Sequence, residues 1–374
     1  MEKLVSDLAT LINFPTVSRD PVDAIAAHLA ERLEAVGFDT RMSWTDRTSG
    51  KCNVVARKGP ELPGGLCLSG HMDVVPTEGQ PWTSDPFTLT ERDGSLYGRG
   101  TADMKGFIAA ATRAVESFGS REFRRPLWIV WTHDEEIGCQ GSAALVDRGE
   151  MGGMLPEACL IGEPTGFQIL RQHAGHVAVG VDVTGRAAHT SKPHLGINAI
   201  DAAAEVIRAT AGVRDALARS GRPVPMSVAR IHGGEAVNVV PDHCHLDIGF
   251  RPLPGMDARA IFDQLRDAID RIDIAHAGIT CTIEGIAPSL LTEEGTALQH
   301  ALMAHADTPE TGTAPFATDG GNLARLGMRP LVFGPGSIDV AHRADEYITV
   351  EALGRAEQIV HRLVHDMCIR GDAR

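Results

Sequence analysis

The chain has no long apolar run, no paired cysteine motif and no surplus of positive charge, and each absence removes a class of function. No stretch of its 374 residues reaches the roughly 18 consecutive apolar residues of a membrane-spanning helix. The seven cysteines, at positions 52, 67, 139, 159, 244, 281 and 368, are odd in number and scattered, and no two form a C-x-x-C pair. They read as reduced thiols of a cytoplasmic protein, not as a disulfide framework. Only 35 Lys and Arg stand against 49 Asp and Glu, a formal charge of −14 that repels nucleic acid and anionic membrane alike. The opening MEKLVSDLATLINFPTVSRD carries acids where a secretory leader needs a basic segment and then an unbroken apolar one. Repeats and low-complexity tracts are missing too. The expectation is a cytoplasmic protein with no nucleic-acid or membrane partner. Its acidity suits cationic partners, metal ions included, or simply aids solubility.

What is present is ample core material, 43% hydrophobic residues, in a length that allows about two to three domains. Residues 1–36 read as two helices broken near Pro15 and Pro21, the second stopping at Gly37. Apolar strands then alternate with helices: GGLCLSGHMDVV, ADMKGFIAAATRAVESFG, RPLWIVWTHDEE, GCQGSAALVDRG, EACLIGE. That alternation predicts an α/β domain on a mixed, largely parallel sheet flanked by helices, with ligands beyond the carboxyl ends of its strands. From about residue 172 the order becomes β-α-β-β-α-β, the ferredoxin-like arrangement of a compact inserted domain. The expected boundaries are 1–171 with 287–374 for the larger domain and 172–286 for the insertion.

Polar residues gather where strands should end. His71 and Asp73 follow LCLSG two residues apart, so on a strand they share a face and converge on one spot. Asp103 in GRGTADMKG, Glu135 and Glu136 in WTHDEEIG, Glu163 in IGEPT and His342 in GPGSIDVAH occupy comparable places. Singly each has a plain alternative: Asp103 as a helix N-cap, the two glutamates as a solvated loop. Together, several carboxylates in one cleft would repel strongly unless cations neutralised them. Imidazoles and carboxylates without cysteine suit Zn2+, Co2+ or Mn2+, and the set is large enough for two ions roughly 3.5–4 Å apart. His243 and His245 are also two apart but fall in the inserted domain, away from the other ligands, and are expected not to bind metal. Cys139 reads as a buried neutral thiol. GRGTADMKG lacks the G-K-[ST] ending of a phosphate loop, and TDGGNLARLG reads as a turn into a helix whose part is open.

The segments SGHMDVVP, GRGTADMKG, THDEEIGCQGS, IGEPT, GRAAHTSKP..GINAI and GPGSIDVAH, in this order, resemble the signature segments of the M20 family of di-zinc amidohydrolases and peptidases. Within that family, IHGGEAVNVVPDHCHLDIGFRPLPGMD and GPGSIDVAHRADEY are most similar to the acetylornithine deacetylases. The resemblance implies a bridging role for Asp103, one ion completed by His71 and Glu163, and the other by Glu136 and His342. It puts the Asp73 carboxylate behind His71, fixing the ring, and makes Glu135 the general base. It implies an inserted domain that serves as lid and dimerisation module. From there His189 would be lent across a homodimer to the oxyanion, with Asn238 and Arg251 positioning substrate; Arg251 as a purely structural salt bridge and His189 as a surface residue are the alternatives. The implied reaction is hydrolysis of an N-acyl-L-amino acid, N2-acetyl-L-ornithine to L-ornithine and acetate in arginine biosynthesis. The alternatives are acetylcitrulline, succinyl-diaminopimelate or a broader N-acyl amino acid set. A non-catalytic metal-binding scaffold would lack a ligand or the base, and no such position is missing.

Overall fold

The computed structural model describes residues 1–272, 277–308 and 310–370. The chain divides into two compact units, Met1–His173 with Leu290–Arg374, and Ala174–Ser289.

The first unit is built on a sheet in the order Asp39–Asp46, Lys51–Lys58, Leu127–Thr132, Leu66–His71, Ala158–Ile161, Arg329–Val332, Leu170–His173, Leu290–Leu291. Its middle is parallel: Leu66–His71 pairs with Leu127–Thr132 and Ala158–Ile161, and the latter with Arg329–Val332. Antiparallel partners close both edges. Leu66–His71 and Leu127–Thr132 are buried along their whole length, as strands covered on both faces must be. Alternate residues take opposite faces. Leu66, Leu68, Leu127, Ile129 and Trp131 join the core contributed by helices Glu2–Ile12, Asp23–Ala35, Lys105–Glu116 and Val350–Val364, while Cys67, Trp128 and Val130 pack with Leu145 and Leu323 from the helices Gln140–Asp147 and Gly320–Ala324. Gly162 is required where it stands, because a Cβ there would lie 2.0 Å from the Phe107 ring. That close approach seats the Lys105–Glu116 helix against the strand end that bears Glu163.

Two features escape a reading of apolar runs. Asp39–Asp46 and Lys51–Lys58 form an edge hairpin. A small sheet joins Thr90–Arg92, Ser95–Tyr97 and the distant Tyr347–Thr349. Among the described residues no helix is long and apolar enough to cross a membrane.

The second unit is a four-stranded antiparallel sheet in the order Met226–Gly233, His243–Phe250, His176–Thr184, Gly278–Ala287. Helices Ala199–Arg219 and Ala258–Asp270 cover its apolar face through Val206, Leu217, Phe262 and Leu265. Asn198 and Asp257 cap the two helices, each side chain accepting from two N–H groups of the first turn. The element order is the β-α-β-β-α-β read from the sequence.

Candidate metal centre

Because the four central strands run parallel, their carboxyl ends share one edge of the sheet, and the polar residues that follow them meet there. His71 is the last residue of its strand, and its Nε2 lies 3.0 Å from Asp103 Oδ1 and 3.8 Å from Glu163 Oε1. The other oxygen of Asp103, Oδ2, lies 3.2 Å from His342 Nε2, which is 3.0 Å from Glu136. One carboxylate thus offers an oxygen to each of two imidazoles, each backed by its own glutamate. The Asp103 side chain does not cap the following helix, whose N-cap is Met104 with no side-chain hydrogen bond. Donor atoms of His71, Asp103 and Glu136, and of His71, Glu135 and Glu163, fall within 4.8 Å of one another. Distance alone therefore does not separate Glu135 from the other acids.

Burial raises Glu135 and Glu163 well above the usual carboxyl range, and neighbouring carboxylates add to it. Glu136 is pushed up to about 7, by burial first and then by the Asp103 charge. Burial opposes ionisation of Asp103 too, but hydrogen bonds from His342 and His71 hold its carboxyl well below the usual range. His342 is raised to about 10 by its bonds to Asp103 and Glu136. Burial works against a charged His71, yet Asp103, Glu163 and Glu135 together lift it well above an ordinary imidazole. Four buried acids crowd two imidazoles, His71 buried and His342 half exposed, and the short nitrogen–oxygen approaches are places where a divalent cation can stand in for a shared proton. The donor set, nitrogen and oxygen with no sulfur, fits such ions.

Asp73 faces His71 chiefly through its backbone. The group facing His71 Nδ1 is its main-chain carbonyl, at 2.8 Å, while its carboxylate is 3.7 Å away. The carboxylate accepts instead from the N–H groups of Glu135 at 3.0 Å and Glu136 at 3.3 Å, and from Ser18 Oγ at 2.8 Å. The reason is local: the strand ends at His71, so the shared-face rule does not extend to Asp73. A carbonyl only accepts, so it keeps the hydrogen on Nδ1 and leaves Nε2 as the nitrogen that could face a cation. Asp73 orients His71 with its backbone and the glutamate loop with its side chain.

Asp319, in the turn whose part the sequence leaves open, is buried and accepts from Thr132 Oγ1 and Ser142 Oγ. Asn322 donates to the Cys139 carbonyl and to Ser142 Oγ, so this turn braces the loop after the glutamates. Cys139 is buried and burial raises its thiol, as expected. Ser18 is a further contributor with no sequence signal beyond an ordinary loop serine.

The remaining expected residues lie in the second unit. His189 sits opposite Val239 in a two-residue ladder, its Nδ1 accepting the Ser191 N–H at 3.1 Å, and the neighbouring Thr190 N–H donates to the Asn238 carbonyl. His189 and Asn238 are therefore close neighbours, both exposed. Arg251 is exposed just past the strand His243–Phe250. His243 and His245 flank Asp182 on the exposed face of the sheet, and donor atoms of His245, Asp247 and Glu284 fall within 4.8 Å, with Arg230 paired to Asp247.

Residues 67–366 match the family described as Peptidase family M20/M25/M40. The chain is 33% identical over 362 residues to a protein named acetylornithine deacetylase from Proteus mirabilis (strain HI4320), which covers 94% of this chain and 92% of that one. Among solved structures, the M20 family metallo-carboxypeptidase Sso-CP2 from Sulfolobus solfataricus has a TM-score of 0.78 at 17% identity, covering 97% of this chain and 99% of that one. A dinuclear metal-binding M20 peptidase from Bacillus subtilis has a TM-score of 0.66 at 16% identity, covering 97% and 98%. At those identities the structures speak to fold alone. The family match across most of the chain and the curated relative's identity go further: this chain is a hydrolase of the M20 family.

Proposed function

We propose that the protein hydrolyses the amide of an N-acyl-L-amino acid at a two-ion site, and that its substrate is N2-acetyl-L-ornithine, which would place it in arginine biosynthesis. The observation that carries the two-ion reading is Asp103, one oxygen toward His71 and the other toward His342. With the roles that the family resemblance implies, each side has three protein donors, Asp103 with His71 and Glu163 and Asp103 with His342 and Glu136, and Glu135 serves as base. When bound, divalent cations held by these residues would polarise the scissile carbonyl and lower the pKa of a water molecule.

The chain's own groups supply the proton handling. Glu135 takes one proton of the attacking water as the water's oxygen bonds to the amide carbon, and delivers it to the nitrogen as the C–N bond breaks; the carboxylic acid formed passes its remaining proton to the amine, leaving a carboxylate and an ammonium group. Asp73 holds the Glu135 backbone for this. We assign His189 to the developing oxyanion and Asn238 and Arg251 to the substrate, the guanidinium taking an α-carboxylate by two parallel hydrogen bonds. In this reading the second unit is a lid and the homodimer contact. What supports the acetylornithine choice is the curated relative's name and the GPGSIDVAHRADEY segment.

The test is amine release from a panel of N-acetyl amino acids with acetylornithine, acetylcitrulline and succinyl-diaminopimelate included, in the presence of Zn2+, Co2+ or Mn2+. Acetylornithine should give the highest kcat/KM. A larger value for succinyl-diaminopimelate or acetylcitrulline moves the assignment to that substrate, and no release from any of them ends it.

A further inference from the structure

Four residues beyond His342, a fully buried carboxylate does something the hydrolytic scheme does not use. Glu346 is 1% exposed, and its Oε1 accepts from the N–H groups of Gly100 at 3.0 Å, Ala102 at 2.9 Å and Asp103 at 3.0 Å. Its Oε2 accepts from Arg99 Nη1 at 2.6 Å. Arg99, itself 1% exposed, donates from Nη2 to Gln80 Oε1 at 2.6 Å, and Gln80 Nε2 donates to the His342 carbonyl at 3.1 Å. The bonds form a ring that starts at the backbone of Asp103 and ends at the backbone of His342.

The ring is held in register by main chain. Tyr347 pairs opposite Tyr97, and the Gly98 N–H donates to the Glu346 carbonyl at 3.0 Å. Converging N–H groups of this kind make a concavity suited to an anion, and here the chain fills it with its own carboxylate. His342 also needs holding: its φ is +62°, a left-handed conformation that a residue with a side chain keeps only when its surroundings impose it. The Asp345 carboxylate, accepting from Thr83 N–H and Oγ1, pins the same loop a second time.

We propose that Glu346 is a positioning residue for the metal centre: through Arg99 and Gln80 it fixes Asp103 against His342, and so sets the affinity for the ion those two share with Glu136. This rests on the two-ion reading of the site. Groups that orient metal ligands commonly cost ten- to hundred-fold in affinity when removed, and the loss here should fall on one ion.

The experiment is equilibrium dialysis of the full chain against Zn2+, for the parent, Glu346→Gln, Gln80→Ala, His342→Ala and the Glu346→Gln/His342→Ala double variant. The parent should bind two equivalents. Glu346→Gln should raise the Kd of one equivalent ten- to hundred-fold and leave the other within about three-fold. Adding Glu346→Gln to His342→Ala should change the remaining equivalent little, since the affected ion is already gone. Gln80→Ala, at a partly exposed position, should weaken the same equivalent by several-fold, which guards against a Glu346 variant that fails to fold. If the parent binds two ions and Glu346→Gln and Gln80→Ala each keep both Kd values, or if Glu346→Gln weakens both equally and Gln80→Ala neither, the positioning role is wrong while the two-ion reading stands. A parent that binds fewer than two ions sinks that reading, and the inference with it.

Discussion

The carboxylate of Asp73 accepts the backbone N–H of Glu135 at 3.0 Å, and through that bond a residue at the end of one parallel strand fixes the residue proposed as base beyond the next. The same carboxylate reaches the Glu136 N–H, so the proposed base and the proposed ligand share one anchor. Asp73→Ala leaves these buried N–H groups without a partner, a penalty of about 1–3 kcal/mol, and frees the loop that carries both glutamates. Asp73→Asn keeps one acceptor oxygen and should do less harm. The expected outcome is a kcat reduced by roughly ten- to hundred-fold in Asp73→Asn and further in Asp73→Ala. Zinc held by His71 should stay, because its ring is oriented by the Asp73 carbonyl, which any residue there supplies. Loss of the His71-side ion in Asp73→Asn, with kcat per bound ion unchanged, would return the side chain to the role expected from the sequence.

Glu135→Gln separates base from ligand. The amide cannot take a proton, so kcat should fall by about 10²–10⁴ while two ions remain bound. Because a Glu135 oxygen lies in the same 4.8 Å sphere as donor atoms of His71 and Glu163, metal analysis is the deciding readout. A variant that loses an ion makes Glu135 a ligand, and one that turns over like the parent removes it from the reaction.

Much of this centre is legible in the sequence because a parallel sheet turns a one-dimensional pattern into one place. Each apolar run that ends in a polar residue ends on the same edge, so His71, Glu135, Glu136 and Glu163 can be gathered without knowing strand order, whereas Asp103, expected at a strand end, lies instead in the turn between Ser95–Tyr97 of the small sheet and the helix Lys105–Glu116. What is not legible depends on where strands stop and on distant pairings. Asp73 reads as a strand residue in HMDVV, yet the strand ends at His71. Glu346 acquires meaning only once Tyr347–Thr349 is known to pair with Ser95–Tyr97, a short three-residue match with no hydrophobic signature. Asp319 looks like any acid in a glycine-rich turn until Thr132 and Ser142 are seen to point at it.

Gly162 allows a packing prediction beside the centre. A methyl group there meets the Phe107 ring at 2.0 Å, and both residues are buried. Gly162→Ala should destabilise the fold by about 3 kcal/mol, the upper end for overpacking, and shift Glu163, the next residue. Phe107→Ala carries its own cavity cost of about 3–5 kcal/mol, but in the double variant the added methyl should cost much less. Urea unfolding of the four species gives the coupling. Strict additivity would mean the ring is not what Gly162 accommodates.

Stability in acid should report on Asp134, whose Oδ1 lies 2.8 Å from Lys51 Nζ. Burial opposes ionisation of this carboxyl, but bonds from His133, Lys51 and the Arg19 N–H hold it down to about 2. A carboxyl with a folded pKa below its unfolded one stabilises the protein fully above the unfolded value and loses that contribution as pH falls toward the folded one. The window is therefore about 4 down to about 2, and the amount is on the order of 2 kcal/mol. Asp134→Asn removes the titration at a position whose φ of +50° asparagine tolerates. The difference in unfolding free energy between parent and variant should be flat between about pH 5 and 7 and shrink below about 4. A difference unchanged down to about pH 2 contradicts the assignment.

The role proposed for His189 has a test that needs no view of the dimer. If one subunit lends His189 to the other's metal centre, His189→Ala and Glu135→Gln homodimers are each inactive for different reasons. Mixing them under conditions that let subunits exchange produces heterodimers in which one centre combines an intact Glu135 with an intact His189 from the other chain. With equal amounts and random exchange, half the dimers are mixed and each has one complete centre of two, so activity should return to about a quarter of the parent's. If His189 acts within its own subunit, every centre in the mixture lacks one group and activity stays at the level of the separate variants. The two arrangements predict opposite results from the same tube, and the His189 exposed beside Asn238 is the group whose partner chain the measurement identifies.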